Sequence, residues 1–334
     1  MNPRRLWLRS PALAGVFVCA ALWLTGCATP QVRDLAQAWP AGLPARVALD
    51  HVPFVAQEEY ECGPASLAMV LQSTGHNISA ESLVPQVYLP GRQGSLQIEM
   101  QVAARRAGVL ATPLEPTLQA VLREVAAGHP VLVFQNLSLP WYPVWHYAVV
   151  VGYDREAQTL TLHSGVTPRM PISFSAFDRT WERGQRWALV ITRPTELPAT
   201  ASADAVAKAL VALERLQPAA AQQGYTAALA RWPDNRTFLL GGGNTAYALG
   251  RLNVAQAAYA HAVQVDPLFA AAWNNLAQVA LETGELEQAK NAIAQALRLN
   301  PDADAATRAL ERKIAQALSD QHRGEKPLTS PAPP

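Results

Sequence analysis

The chain has 334 residues, half of them hydrophobic and 16% charged, with 27 basic side chains against 26 acidic ones. That length accommodates two folded units, each able to bury a core. The near-zero net charge excludes a polybasic nucleic-acid binder or an acidic tail, and the hydrophobicity excludes a disordered chain.

The first 26 residues stand apart from the fold. Arg4, Arg5 and Arg9 precede an apolar run, residues 11–24, that closes on Leu24-Thr25-Gly26-Cys27. The run is shorter than the roughly 20 residues a spanning helix needs. The pattern resembles the bacterial lipoprotein signal, which implies cleavage before Cys27 and lipid on that cysteine. Several acyl chains on one residue anchor more firmly than a single chain. Residue 28 is Ala, not the Asp that in this class often signals retention at the inner membrane. The resemblance therefore implies the bacterial cell envelope, at the periplasmic face of the outer membrane.

The remainder divides into a lead or tether over 27–46, a mixed domain over 47–193, a linker over 194–202 (PTELPATAS), a helical region over 203–318 and a flexible tail over 319–334. Cys19 leaves with the signal, so once Cys27 carries lipid, Cys62 is the remaining free thiol. A free cysteine is as readily a small buried hydrophobe as a nucleophile, and its neighbours decide.

Residues 52–55 read as a strand or an extended approach to Cys62-Gly63-Pro64-Ala65, where Pro64 suits a first helical turn and Leu67, Val70 and Leu71 form an apolar face. Cys62 then sits at a helix N-terminus, whose free N–H groups favour a thiolate. Residues 130–134 (PVLVF) and 145–153 (WHYAVVVGY) read as strands, the second with His146 at its start. A turn at 154–157 leads into a paired strand at 158–163, and 187–191 (WALVI) closes the sheet. The expected layout is a helix carrying Cys62 against a mostly antiparallel sheet carrying His146.

Gln57, the block Cys62-Gly63-Pro64-Ala65 with Leu67-Ala68-Met69 behind it, and the run from His146 to Tyr153 occur in an order that resembles the papain-like cysteine peptidases. More specifically, the pattern is similar to the double-glycine, bacteriocin-leader-processing peptidases and their stand-alone relatives. The resemblance implies an α+β papain-like fold over 47–193, with Cys62 as nucleophile and His146 as its proton partner. It places Gln57, with the Cys62 backbone N–H, at the oxyanion. In that family an Asp, usually followed by Pro, orients the histidine from the next strand. Here the matching stretch is Leu162-His163-Ser164-Gly165, without a carboxylate. His163 or Ser164 is left to accept that hydrogen bond. Asp154, the nearest downstream acid, is a further candidate, although its turn position favours a structural role.

Other residues offer less. His51 and His76 lack close companions for a metal site, and Gly241-Gly242-Gly243 lacks the lysine and hydroxyl of a phosphate-binding loop. No metal or other cofactor is expected. Asn136 reads as a loop residue or a wall of the groove. The cluster Trp141-Tyr142-Pro143-Val144-Trp145 reads as a subsite wall or as packing under a loop.

Gly250 and Gly284, Leu252 and Leu286, Ala255 and Ala289, Ala262 and Ala296, and Pro267 and Pro301 are each 34 residues apart. This period resembles the tetratricopeptide repeat and implies an all-α solenoid. Units fall at 236–269 and 270–303, with a weaker one at about 202–235 and a capping helix at 305–318.

Together these readings give an envelope-anchored thiol peptidase acting on a peptide or protein substrate, with helical repeats recruiting that substrate or an envelope protein. The main alternative is an inactive peptidase-like binding scaffold. A third reading, acyl transfer, uses the same Cys62 and His146 but delivers an amine instead of water. Beyond its partner protein and the lipid-anchored membrane, the chain is expected to bind no nucleic acid.

Overall fold

A computed structural model describes residues 29–324. The expected signal over residues 1–26 and Cys27, the expected lipid site, lie outside the described residues. The N-terminal unit is a mixed α+β domain, and the C-terminal unit a run of paired helices.

The sheet of the first domain consists of β1 (Arg46–Ala48), β4 (Leu110–Pro113), β5 (Val131–Asn136), β6 (Trp145–Asp154), β7 (Thr159–Ser164), β8 (Thr167–Ser173) and β9 (Ala188–Thr192). Its order is β4-β9-β5-β6-β7-β8, with β1 beside the end of β6, and every pairing is antiparallel. A separate two-stranded ribbon joins β2 (Tyr88–Leu89) to β3 (Gly94–Ser95). The expected strands at the centre are therefore present, with boundaries moved by one or two residues. Residues 52–55 form no strand and run as irregular chain.

Elements at the margins of the sheet escaped the sequence reading. β8 contains Pro168 and Pro171, which an edge strand tolerates because one row of its N–H groups has no ladder partner. The lead is not a free tether along its length. Helix α1 (Pro30–Gln37) buries Val32 and Leu35, and Trp39 packs near Tyr153 and Phe174.

Helix α2 (Cys62–Ser73) is almost wholly buried from Gly63 to Leu71. It is apolar around its circumference because it is the central helix of this core, packed on β6 and β5. The ribbon of β2 and β3 lies between α3 (Ala80–Val87) and α4 (Gln97–Arg106). Helices α5 (Leu118–Ala126) and α6 (Phe174–Arg183) complete the layer, and Phe174, Phe177 and Trp181 bury the apolar face of α6.

The second domain pairs α7 (Ala203–Glu214) with α8 (Pro218–Arg231), α9 (Arg236–Ala248) with α10 (Leu252–Val265), and α11 (Ala270–Glu282) with α12 (Leu286–Leu299). The final helix, α13 (Ala305–Gly324), continues beyond the boundary read from sequence, so residues 319–324 of the expected tail are helical. Small residues sit where the helices cross: Ala255, Ala262, Ala289 and Ala296 are buried. Gly250 and Gly284 follow α9 and α11 with φ of 70° and 81°, a conformation that favours glycine and ends each helix.

The two domains are joined by more than a flexible connection. Leu110 of β4 packs with Val206, Leu210 and Phe238, so the solenoid covers the edge strand of the sheet. Glu124, fully buried on α5, accepts hydrogen bonds from Ala199 N, Thr200 N and Thr200 Oγ1, and lies 2.8 Å from His129 Nδ1. The segment read as a linker is thus clamped to the first domain. Burial works to raise the Glu124 pKa, but the hydrogen bonds from His129, Thr200 and Ala199 outweigh it and hold the carboxyl below its ordinary value.

Glu124→Ala is expected to cost about 3 kcal/mol, because it removes the buried carboxylate that accepts from Ala199 N, Thr200 N and Thr200 Oγ1 and pairs with His129. The change should show as a lower urea midpoint and faster proteolysis within 194–202. Since the folded pKa is depressed, this contribution is present above the unfolded carboxylate value of about 4.3 and is lost as pH falls through the folded one.

Candidate active site

A cleft of about 800 Å³ opens at one end of the sheet. Gln57, Cys62 and His146 line it together, with Tyr60, Gln93 and Trp145 among the walls. Three elements supply the central groups. Cys62 is the first residue of α2, with its backbone N–H among those a helix leaves free at its start. His146 is the second residue of β6, opposite Gln135 of β5. Gln57 lies in the irregular segment before α2, held by its own N–H bonding to Gly165 O.

The turn into the helix is tight. Glu61 N donates to Glu58 O, and Tyr60 takes φ of 65°, in the left-handed region that non-glycine residues seldom occupy. Gln93, on the opposite wall, is also left-handed, with φ of 48°. The hydroxyl of Tyr147 donates to Ser95 O and ties that wall to β6.

The histidine has a defined partner: His146 Nε2 lies 2.8 Å from Ser164 Oγ. With Nε2 protonated and donating to the hydroxyl, Nδ1 keeps its lone pair for a proton transfer. Ser164 occupies the place at which the sequence left the orienting group open. His163 does not share it. Its ring is buried, with Nε2 3.3 Å from Val52 O, Nδ1 accepting from Arg169 N, and Phe54 edge-on against it.

Asp154 does not reach the site either. It ends β6 at the opposite end of the strand, accepts from Ala157 N and pairs with Arg46. Eight residues of extended strand separate it from His146, about 26 Å.

The electrostatics differ from a preformed ion pair. Burial pushes the Cys62 thiol up, and hydrogen bonding to the backbone of Tyr147, Gly63 and Cys62 only partly offsets it. Burial also lowers His146 to about 4. At neutral pH the cleft therefore carries a thiol and a neutral imidazole. The free N–H groups at the helix start favour a thiolate, and burial of Cys62 works against them. Gln57 Nε2 donates to Ser66 Oγ at 3.2 Å and Tyr147 O at 3.3 Å, so its amide hydrogens are engaged within the fold.

The other sequence candidates separate clearly. Asn136 is buried and structures the loop after β5: its Oδ1 accepts from Ser138 N and Val144 N, and its Nδ2 donates to Leu139 O. Trp145 lines the cleft and stacks on Phe134, with ring centroids 5.2 Å apart. Trp141 and Tyr142 are exposed and stand outside the cleft lining.

Sequence reasoning missed Ser66, which holds Gln57, and the wall from Arg92 to Gln97. The Pro-Gly-Arg-Gln-Gly run there was a legible turn signal, although nothing in it pointed to the cleft.

Comparison with known proteins places these features in a class. Residues 49–188 match the model described as the Peptidase_C39 like family, and residues 206–252 and 240–304 match the tetratricopeptide repeat model. The chain thus carries a C39-like peptidase domain fused to a tetratricopeptide repeat region. No curated protein matches it.

Among solved structures, the chain is similar to a C39-like peptidase from Bacillus anthracis at 18% identity, covering 45% of this chain and 98% of that one, with a TM-score of 0.38. It is also similar to a double glycine motif protease from an AMS/PCAT transporter in complex with the leader peptide, at 22% identity, 45% and 94% coverage and a TM-score of 0.32. The helical region is similar to the Sgt2 TPR domain from Aspergillus fumigatus at 21% identity, 39% and 88% coverage and a TM-score of 0.35.

Proposed function

We propose that the chain is an envelope-anchored thiol peptidase, tethered by lipid on Cys27 at the periplasmic face of the outer membrane. The observation that carries the reading is the meeting of Cys62, His146 and Gln57 on one cleft, with Ser164 fixing the imidazole. In the proposed reaction Cys62 Sγ attacks the peptide carbonyl carbon as His146 Nδ1 takes the thiol proton. The tetrahedral oxyanion is met by the Cys62 backbone N–H and by the Gln57 amide, which exchanges one of its internal bonds to do so. Collapse expels the amine with the proton from His146, leaving a thioester. Water, deprotonated by the same imidazole, then releases the acid.

The helical repeats supply no chemistry of their own, and their role in this reading is to recruit the substrate or an envelope protein partner. A second reading, a peptidase-like binding scaffold, draws on the absent carboxylate and on the resting thiol.

A form beginning at Ala28, which retains every described residue, separates the two when incubated with a peptide-like electrophile and an envelope extract. The expected result is an adduct on Cys62 and new peptide termini by mass spectrometry, with both absent in Cys62→Ala. His146→Ala should slow adduct formation about 100-fold. Labelling at the same rate without His146, and no new termini, overturns the peptidase reading.

A further inference from the structure

The loop between β5 and β6 carries an unusual surface. Leu137, Leu139, Trp141, Tyr142, Val144 and Trp145 are all exposed, with Trp141 at 78% and Tyr142 at 72%. The loop is nonetheless built rigidly. Leu137 N donates to Val144 O, Leu139 and Tyr142 form a bridge, and the buried Asn136 amide spans its base. A rigid, amphipathic aromatic tip with little conformational entropy to lose is suited to a water–hydrocarbon boundary, where Trp and Tyr place the ring in an apolar layer and the polar atom in water.

The place of α1, together with the lipid-anchor reading, argues for a bilayer as the occupant. β4 runs antiparallel to β9, with Pro113 opposite Leu189, while Ala188 of β9 lies opposite Val133 of β5. The chain leaving β4 therefore runs in the direction of the end of the sheet where β5 reaches Asn136 and the aromatic loop begins, Pro113 lying level with Leu132, four residues short of Asn136. Gln31, in the first turn of α1, is fixed to that emerging segment, donating to Pro116 O and accepting from Leu118 N. Only β9 separates β4 from β5, a lateral distance of about 10 Å. Cys27 precedes Thr29 by two residues, at most about 7 Å of chain. A lipid on Cys27 would hold the start of α1, and the segment after β4 to which Gln31 is bonded, close to the membrane.

We propose that the 137–145 loop is a lipid-surface docking element, seating Leu139, Trp141 and Tyr142 in the bilayer interface beside the acyl anchor. The inference rests on the lipid-anchor reading for its orientation. Its consequence is that the cleft, which shares this end of the sheet through Trp145 and His146, faces the membrane surface. Substrate bonds would then be presented close to a bilayer, in the juxtamembrane part of a protein or in a lipid-linked peptide.

The test uses the form beginning at Ala28 with vesicles of phosphatidylethanolamine and phosphatidylglycerol, some brominated in their acyl chains. Sedimentation with the vesicles and quenching of tryptophan fluorescence are expected. The pair Trp141→Ser with Tyr142→Ser should lower the partition coefficient roughly tenfold and remove the quenching. Unchanged circular dichroism and Cys62 alkylation would show that the pair leaves the fold intact. Equal partitioning of parent and variant, or binding without acyl-chain quenching, overturns the proposal. The mass of Cys27 peptides from cells tests the anchor separately: quenching by a chain that carries no lipid in cells removes the anchor and keeps the docking element, whereas acylation without quenching removes the docking element alone.

Discussion

Replacing Ser164 by Asp is expected to convert the resting site from thiol and imidazole to thiolate and imidazolium. The wild-type hydroxyl lies 2.8 Å from His146 Nε2 and fixes the ring, but it carries no charge to offset the desolvation that lowers His146 to about 4. A carboxylate at this position favours the protonated ring and thereby the thiolate beside it. In the wild type, alkylation of Cys62 by iodoacetamide should rise about tenfold per pH unit from pH 6 upward, tracking thiolate formation below a raised thiol pKa. In Ser164→Asp the rate should flatten across pH 5–7 and exceed the wild type at least about tenfold at pH 6.

Ser164→Ala tests the same contact in the other direction. Without the hydroxyl, nothing selects the tautomer that keeps Nδ1 unprotonated, and kcat/KM should fall about 10–100-fold with KM little changed. Profiles of the same slope in all three proteins would exclude Ser164 as the positioning residue. A linked stability effect has a definite sign. His146 titrates near 6.5 when unfolded and at about 4 when folded, so the unfolded state binds a proton first. The contribution is whole above pH 6.5 and is lost as pH falls toward 4.

The choice between His163 and Ser164 shows where sequence reading reaches its limit. Adjacent strand residues point to opposite faces, so deciding which of the two meets His146 requires the register of β7 against β6. That register pairs Val149 with His163 and carries a shift between Val150 and Gly152, which the sequence does not announce. The core is more legible, because 131–134 and 147–151 are continuous apolar runs and Pro64 marks the first turn of α2.

Electrostatic state was less legible than position. A cysteine at a helix start reads as activated, but the net effect depends on how much of α2 and β6 closes over it. The solenoid was read from its period, since each unit repeats the same helix-crossing requirement at a fixed spacing. Clamping of residues 194–202 could not be read, because Glu124 is remote in sequence and looks like a solvent-facing helix residue until its partners are placed.

Gly241, Gly242 and Gly243 should respond differently to the same substitution, although they are consecutive in one helix. A Cβ at Gly241 would lie 2.3 Å from the Tyr225 ring, and one at Gly243 would lie 2.4 Å from the Tyr259 ring. Both rings are buried, and each is held at its hydroxyl, Tyr225 donating to Glu214 and Tyr259 to Asn244. Neither can withdraw without breaking a hydrogen bond and opening the seam between repeats. Gly241→Ala and Gly243→Ala are each expected to destabilise the solenoid by about 1–3 kcal/mol, the range for overpacking a tight core. At Gly242 the new Cβ meets Tyr225 at 3.6 Å, an ordinary contact. There the better helix propensity of alanine should prevail, stabilising by roughly 0.5–1 kcal/mol. Thermal unfolding of the three variants checks the pattern, which requires opposite signs at neighbouring positions. A stabilising change at Gly241 or Gly243 would mean that the tyrosines are free to move, and that the glycine triplet is not a packing device.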